Sequence, residues 1–236
     1  MSLNRCCGQM ACLAAGLLLT LAGRAYAQPY IPNWDSRNIS AAEWTCDASG
    51  GGVTATFNGG SVTCGSELLQ SVTTFSGAPI VSWSGAADGT YSIVIVDRDA
   101  RSPSEPLLSP LRHYATSRVA GSALRAGVNI SGGLWFNYSG PQPPAGTGCH
   151  RYYLIVYSEN GEVLGPTNAS RFNWNWPTWA ADNRLTRRSA NYWSTQNEAA
   201  RTGGCAATSA ASRVGVQATV WAALALMAAL IILNVA

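Results

Sequence analysis

Two apolar runs, "YSIVIV" at residues 91–96 and "YYLIVY" at 152–157, constrain the fold more than any other feature of this chain. Successive side chains of a β-strand point to opposite faces of the sheet. Both runs are apolar at both positions of that two-residue repeat, so we expect each strand to be buried on both faces. Such strands occur in the middle of a sandwich or beneath covering helices.

Strand signals dominate the rest of the chain between its two ends. Other β-branched or aromatic runs bounded by turn residues are "SVTTF" (71–75), "RHYATSRVAG" (112–121) and "GLWFNYSG" (133–140). One amphipathic helix is expected in "TWAADNRLTRRSANYW" (178–193). The 24 glycines and 11 prolines exclude a simple helical bundle. We predict a mainly β protein, an antiparallel β-sandwich with a few short helices, one of them near the C-terminus of the domain.

The N-terminus has the pattern of a secretory signal peptide. Arg5 precedes the apolar run Met10–Leu21, and "AYA" at 25–27 is a small-x-small cleavage site. We predict that residues 1–27 are removed and that the domain occupies residues 28–197. The alternative, an uncleaved membrane anchor, is disfavoured because the apolar run is short.

The C-terminus carries a second apolar segment, residues 213–236, in which no charge follows Arg213. Small residues at 209–211, a short spacer and a hydrophobic tail are typical of a glycolipid (GPI) anchor signal. We predict attachment at Ser209, with the glycines at 203–204 as a second candidate and a single transmembrane helix as the alternative. Residues 198–212 are small and polar and indicate a linker. Either form of tail places the domain on the extracellular face of the plasma membrane.

Charge excludes one class of partner. The chain has 15 basic and 12 acidic residues, and all of the basic residues are arginines. Arg5, Arg24 and Arg213 lie in the terminal segments, which leaves 12 arginines against 12 acids in the remainder. A neutral domain gives no support for nucleic-acid binding.

Cysteines and glycosylation sequons agree with export from the cell. Cys46 and Cys64 flank a Gly-rich hairpin, and we predict a disulfide between them. Cys149 and Cys205 are left without an assigned state. Asn-x-Ser/Thr sequons predict glycosylation at Asn38, Asn129, Asn137 and Asn168.

The polar residues next to the central strands suggest a site. Tyr91, Ile93, Ile95 and Asp97 share one face of their strand, and Asp99 joins them if the chain stays extended. The only two histidines of the chain, His113 and His150, lie in the strand signals that follow. Asp97 and Asp99 as turn-forming residues, and the histidines as core residues, are the structural alternatives.

Motifs along the domain resemble the phosphatidylethanolamine-binding protein family. The resemblance is carried by "YSIVIVDRDARSPSEP", then "RHYATSRVAG", then "YSGPQPPAGTGCHRYYLIVY", and finally "FNWNW" with "LTRRSANYW". The third motif is the most specific of the four. It matches the family pattern at Gly140, Pro141, Pro143, Pro144, Gly146, His150, Arg151 and Tyr152.

The resemblance implies a β-sandwich with a small pocket for phosphate-like anions, including phospholipid headgroups. Carried over by position, the ligand-binding residues are Asp97, Asp99, His113, Pro143, Pro144, His150, Tyr152 and Tyr192. Imidazoles titrate close to the second pKa of a phosphate, so we expect binding to weaken between about pH 6 and 8. No cofactor and no metal are expected.

Two departures from the family pattern fall in the first motif. Arg98 and Arg101 stand where the family has prolines, and we expect a trans peptide bond before Arg101 and added positive potential beside the pocket.

Three functions fit these features. We expect a membrane-tethered binding module for phosphorylated headgroups or similar anions, and not an enzyme. The alternative is a protein-interaction or inhibitor module, for proteases or signalling partners. A metal-dependent or serine hydrolase is the least favoured, because the chain lacks His-x-x-x-His and Gly-x-Ser-x-Gly.

Overall fold

Strands of the described part of the protein form two sheets in a computed structural model of the chain. The structure describes residues 39–47, 52–58, 60–75, 77–167 and 169–205, all of which fall in the unit Asn33–Ala236. The strands are Thr54–Phe57 (β1), Gly60–Ser61 (β2), Ser66–Glu67 (β3), Ile80–Ser82 (β4), Thr90–Asp97 (β5), Leu111–Ala120 (β6), Val128–Asn129 (β7), His150–Ser158 (β8) and Thr186–Thr195 (β9). The helices are Gly121–Ala126 (α1) and Trp176–Asp182 (α2), with single helical turns at Ala41–Trp44, Ser71–Phe75 and Glu198–Ala200.

The smaller sheet has the order β2-β1-β4-β7, and the larger has the order β3-β9-β8-β5-β6. Neighbouring strands are antiparallel except β3 and β9, which run parallel. The predicted mainly β sandwich is therefore confirmed, with one parallel pair at the edge of the larger sheet. The two predicted central strands, β5 and β8, are direct neighbours in that sheet.

The central strands are buried on both faces, as the sequence predicts. Ile93 and Ile95 face the core between the two sheets, which also contains Phe57 and Val81 of the smaller sheet. Alternate residues of the same strand, such as Val94, lie in a second core. This core also contains aromatic side chains of α2 and of the residues just before it. The larger sheet is thus the middle layer of three.

Three predicted elements are wrong. Residues 71–75 form a helical turn and not a strand. Residues 133–140 form no regular strand, and they contact β6 through a bridge between Ala115 and Phe136 and a backbone hydrogen bond from Ser139 to His113. The predicted helix 178–193 ends at Asp182, and the rest of that stretch is β9, because it pairs along the whole length of β8.

A β-bulge in β6 determines where His113 points. Ile95 pairs with Tyr114 and Val96 pairs with Arg112, so His113 is an extra residue between them. A bulge allows two consecutive side chains to face the same side of a sheet. His113 and Tyr114 consequently both lie on the side of the inter-sheet core, where His113 contacts the ring of Tyr152.

Two disulfides cross-link the domain. Cys46 is bonded to Cys64, the pair expected from the sequence, and Cys149 is bonded to Cys205. The second bond shows that the predicted linker begins too early. Residues 198–205 pack against the domain, where the backbone N–H of Cys205 donates to Glu67 and the carbonyl of Gly203 accepts from Gln196.

Several predictions concern residues outside the described part of the chain. These are the signal peptide 1–27, the tail 213–236, the attachment residue Ser209, and the sequons at Asn38 and Asn168. Within the ranges given above, no helix has the length and apolarity needed to cross a membrane.

Candidate functional site

Asp97 and His150 meet because their strands are neighbours in the larger sheet. Asp97 is the last residue of β5 and pairs with Tyr152, two residues after His150 on β8. The Nδ1 atom of His150 lies 2.8 Å from Oδ2 of Asp97. The other carboxylate oxygen, Oδ1, accepts the backbone N–H of Asp99 at 2.7 Å. Asp97 therefore forms the turn after β5 and also orients the imidazole. It is both a turn-forming residue and a residue of the site, the two roles that its sequence position suggests.

His113 also contacts the ring of Tyr152, but its hydrogen-bond partner differs from that of His150. Its Nδ1 atom lies 2.6 Å from the carbonyl oxygen of Ser139, and its Nε2 atom is buried with no partner among the described residues. Burial lowers the pKa of His113 below its ordinary value of 6.5, and electrostatic interactions with Arg171 and His150 lower it further. Asp97 and the hydrogen bond to Ser139 act in the opposite direction. This shift favours the neutral form of the His113 ring, and the weakening of binding between about pH 6 and 8 stays a prediction.

Tyr152 connects the two imidazoles. Its ring stands edge-on to His113 at 5.1 Å between centroids and lies nearly parallel to His150 at 6.5 Å. Burial raises the pKa of Tyr152 well above its ordinary value, and the nearby charges of Asp97 and Asp99 raise it further. A hydrogen bond to the Asp97 carboxylate raises the pKa as well, so the phenol stays protonated and donates its O–H to Asp97. We call Asp97, His113, His150 and Tyr152 the histidine site; all four side chains are almost wholly buried.

The Pro- and Gly-rich loop before β8 covers His150. Pro143 is buried and Pro144 is exposed at this rim. Thr147 Oγ1 lies 3.0 Å from Nε2 of His150 and 2.8 Å from the carbonyl oxygen of Pro144. Gly146 has a φ of 76°, which favours glycine because a Cβ atom is strained there.

The structure does not place Asp99 against a histidine. Its carboxylate accepts two hydrogen bonds from the Arg151 guanidinium, at 2.6 and 2.7 Å, and one from the Arg151 backbone N–H at 2.9 Å. The chain turns after Asp97, so the assumption that it stays extended to Asp99 is wrong. Asp99 is a buried partner of Arg151, one residue away from the site on β8.

The two arginines at the family's proline positions also point elsewhere. The Arg98 guanidinium stacks on Trp44 at 4.8 Å, and Arg101 lies 4.0 Å from Glu105 on the surface. The expected trans bond before Arg101 is wrong, since the Ala100–Arg101 peptide is cis. The backbone N–H of Leu108 donates to the Ala100 carbonyl and secures this loop.

Tyr192 lies on the wrong face of the sheet to join the histidine site. Its ring stacks on Tyr153 at 5.0 Å, in the second core. The neighbouring residue Trp193 is the one that faces the site, where it stacks on Tyr152 at 5.7 Å. The motif was correct, but the side of the strand depends on the pairing register of β8 and β9, which the sequence does not reveal.

Sequence reasoning missed other residues around the site. Thr147 lies within the rim motif 140–152, where a hydroxyl three residues before a histidine is the available signal. Asn197 donates from Nδ2 to the Pro143 carbonyl at 3.2 Å, while its Oδ1 atom is buried without a partner among the described residues. Trp193 Nε1 is likewise buried and has no hydrogen-bond partner among the described residues. Nothing in the sequence indicated these last two contacts.

The side chains of the histidine site offer hydrogen-bonding groups to a small polar ligand. Within the described ranges, no three His, Cys, Asp or Glu side chains are grouped to hold a metal. Imidazole nitrogens and a threonine hydroxyl can exchange hydrogen bonds with the oxygen atoms and O–H groups of a small ligand. The arrangement can therefore orient a ligand through directed hydrogen bonds in a water-poor environment.

Comparisons with known proteins identify relatives of this chain in sequence and in fold. The rice protein "Protein MOTHER of FT and TFL1 homolog 2" (Oryza sativa subsp. japonica) is 31% identical over 101 residues, which are 40% of this chain and 54% of that protein. The chain thus spans about half the length of this curated relative.

Two solved structures share the fold. A phosphatidylethanolamine-binding protein from Plasmodium vivax is 18% identical with a TM-score of 0.51, covering 62% of this chain and 85% of its own. A carboxypeptidase Y inhibitor, solved in complex with its cognate proteinase, is 16% identical with a TM-score of 0.50, covering 63% and 84%. At these identities the likeness concerns the fold alone.

The family model described as "Phosphatidylethanolamine-binding protein" matches residues 53–205. That range contains β1 to β9 and the whole histidine site, in agreement with the resemblance of the sequence motifs. The protein therefore belongs to the phosphatidylethanolamine-binding protein family.

Proposed function

We propose that the protein is an extracellular binding module for small phosphate-bearing anions, such as phospholipid headgroups, and that it binds them at the histidine site. The observation that carries the proposal is the convergence of both histidines of the chain on one buried tyrosine, with His113 Nε2 left without a partner among the described residues. A buried polar atom without a hydrogen bond is unfavourable, and a ligand that supplies one gains affinity.

The two histidines have different tasks in this proposal. Asp97 holds His150 through Nδ1, so Nε2 faces Thr147 and the rim loop. The Thr147 hydroxyl has one proton and two acceptors within reach, the Pro144 carbonyl and His150 Nε2. A ligand oxygen near His150 replaces one of these partners, so the rim loop rearranges locally when the site fills.

The role of the site is binding without catalysis. Thr147, His150 and Asp97 are connected in the order of a nucleophile, a base and an orienting acid, which is the specific observation in favour of a hydrolase. The Thr147 hydroxyl also reaches the Pro144 carbonyl, and the imidazole beside it is buried. A hydrolase would release p-nitrophenol from p-nitrophenyl acetate and would lose that activity in Thr147→Val, whereas the proposal expects no turnover in either protein.

A protein-interaction or inhibitor role is the second candidate. What supports it is the likeness in fold to a carboxypeptidase Y inhibitor that was solved with its proteinase. Purified domain should then inhibit carboxypeptidase Y at a fixed stoichiometry. A phosphate-binding module without this second role leaves that activity unchanged.

The proposed location is the outer surface of the plasma membrane, with a glycolipid on Ser209. Two disulfides fit an oxidising compartment. The sequon residues Asn129 and Asn137 are exposed and accessible to glycosylation. Phosphatidylinositol-specific phospholipase C should release the protein from cells, and an intact tail peptide in mass spectrometry would contradict the anchor.

Native mass spectrometry of the secreted domain tests the binding function. Domain made without residues 206–236 should carry a phosphate-bearing small molecule or acquire added phosphorylethanolamine as a discrete one-to-one complex. The His113→Gln/His150→Gln variant, with folding confirmed by circular dichroism, should not. Equal occupancy of both proteins would place binding outside the histidine site.

A further inference from the structure

The hydrogen bonds of His113 fix which nitrogen carries the proton. A backbone carbonyl only accepts hydrogen bonds, so the Nδ1 atom that faces Ser139 must be the donor. In the neutral ring the other nitrogen, Nε2, then has a lone pair and no proton. Burial favours this neutral form, as the lowered pKa of His113 indicates.

The unpartnered atom of the site is therefore a hydrogen-bond acceptor. His113 is only 5% exposed, and Nε2 has no donor among the described residues. A fully ionised oxyanion offers only lone pairs, so it cannot make a hydrogen bond to this nitrogen unless a proton is taken up. A ligand with its own O–H group can donate to Nε2 directly.

Charge in the site favours the same kind of ligand. Asp97 is a buried carboxylate next to His150, and its charge also acts on His113. Of the arginines nearby, Arg151 is already paired in a two-point contact with Asp99, and Arg171, whose charge also acts on His113, donates to backbone carbonyls that include that of His113. A doubly charged phosphate would meet the Asp97 charge at short range, whereas a singly protonated phosphate carries one charge less.

We propose that the histidine site selects a phosphate monoester in its singly protonated form, with the P–OH group donating to Nε2 of His113. This inference rests on the proposed function and makes it narrower. A phosphate diester, as in an intact phospholipid, carries the same single charge and has no P–OH group. The site therefore distinguishes a free phosphorylated headgroup from the same headgroup within a lipid.

Methyl phosphate and dimethyl phosphate are the matched probes, because at pH 5.5 both are monoanions and only the first has a P–OH group. Calorimetric titrations of the domain between pH 5 and 8 measure both affinities. At the acidic end, methyl phosphate should bind at least about 10-fold more tightly than dimethyl phosphate. Its affinity should decline as the pH rises past about 6, where the ligand loses that proton. Dimethyl phosphate should gain affinity only below the ordinary pKa of histidine, where the His113 ring takes up a proton.

The source of the headgroup is tested by a second pair, phosphorylethanolamine against glycerophosphorylethanolamine. The monoester should again bind more tightly, and His113→Phe, which removes the acceptor, should abolish the preference. His113→Gln serves as a second variant, since its amide can replace the bond to Ser139.

The outcomes separate this inference from the proposed function. Equal affinities for monoester and diester, or a preference for the diester, would overturn the selection of P–OH and leave phosphate binding intact. Failure of all four compounds to bind would overturn both. If His113→Phe still prefers the monoester, another residue causes the preference, and the role of His113 Nε2 is contradicted.

Discussion

The Nδ1 atom of His150 lies 2.8 Å from Oδ2 of Asp97, although the two residues are 53 positions apart in the chain. Adjacent strands bring them together, and both side chains are at most 3% exposed. A carboxylate only accepts, so Nδ1 is the donor and the ring presents Nε2 to Thr147. This bond sets the orientation of the imidazole before any ligand arrives.

Asp97→Asn should reverse the proton position on the His150 ring. The amide has one accepting oxygen, and the Asp99 N–H already requires it, so the amide NH₂ faces His150. The ring then accepts at Nδ1 and carries its proton at Nε2. Nitrogen-15 NMR of the two imidazoles should show this change, with His113→Gln used for assignment. An unchanged pattern of ring couplings would mean that Asp97 does not determine the tautomer.

Arg151→Ala should destabilise the domain by about 3–5 kcal/mol, because it leaves the Asp99 carboxylate buried with only the backbone bond. Arg151→Lys should cost less, since lysine keeps the charge but loses the two-point contact. Urea unfolding measures both free energies.

Arg125→Ala is the matched control for that prediction. Arg125 also forms an ion pair, at 2.8 Å from Asp88, but the Asp88 side chain is 93% exposed. The control should change the free energy of unfolding by no more than about 1 kcal/mol. Equal effects of the two arginine-to-alanine substitutions would show that the Asp99 pair has no special importance.

The two disulfides should differ in their effect on binding. Replacing either pair by serine should destabilise the domain, by about 4 kcal/mol for Cys149–Cys205 and about 3 kcal/mol for Cys46–Cys64 in the chain-entropy model, given separations of 56 and 18 residues. Only the Cys149–Cys205 bond adjoins His150, so only its removal should weaken phosphate binding. We expect a loss of about 3- to 10-fold, because the rim loop becomes less constrained. Calorimetry below the unfolding temperatures of both variants measures this. Equal losses of affinity in the two variants would contradict a specific effect of the Cys149–Cys205 bond on the rim loop.

His113 should make the stability of the domain depend on pH below about 6.5. Its pKa is lowered in the folded protein, so under acidic conditions the unfolded chain binds this proton more readily. The free energy of unfolding should be fully retained above pH 6.5 and should decrease as the pH falls toward the lowered pKa, by up to about 1.4 kcal/mol per pH unit. His113→Gln should flatten that part of the profile in urea titrations from pH 5 to 8. Parallel profiles of the two proteins would contradict the lowered pKa.

The sequence predicted the parts of this protein that depend on local pattern. Strands β5 and β8 were recognised because residues 91–96 and 152–157 are apolar on both faces, and the rim loop was recognised by its spacing of Pro, Gly and His. Elements that depend on tertiary pairing were not predictable in the same way. The stretch 186–193 has a mixed pattern and becomes a strand because β8 offers an unpaired edge.

Errors at the site have the same origin. The motif predicts Tyr192 where the structure has Trp193, because a one-residue difference in register reverses the face of every side chain. Asp99 was placed with the histidines on the assumption of an extended chain, but the turn at Asp97 redirects it to Arg151. His113 reached the site through a bulge, which no local signal in β6 announces.

The most direct test of the central claim is the affinity of the folded histidine variants for phosphorylethanolamine, measured by titration calorimetry at pH 6. His150→Ala and His113→Ala should each weaken binding by roughly 10- to 150-fold, the range for loss of one charge-assisted hydrogen bond. The double variant should lose less than the sum of the two free energies, because both rings contact one ligand. Unchanged affinity in both single variants, with folding intact, would make the histidines structural residues and contradict the anion site.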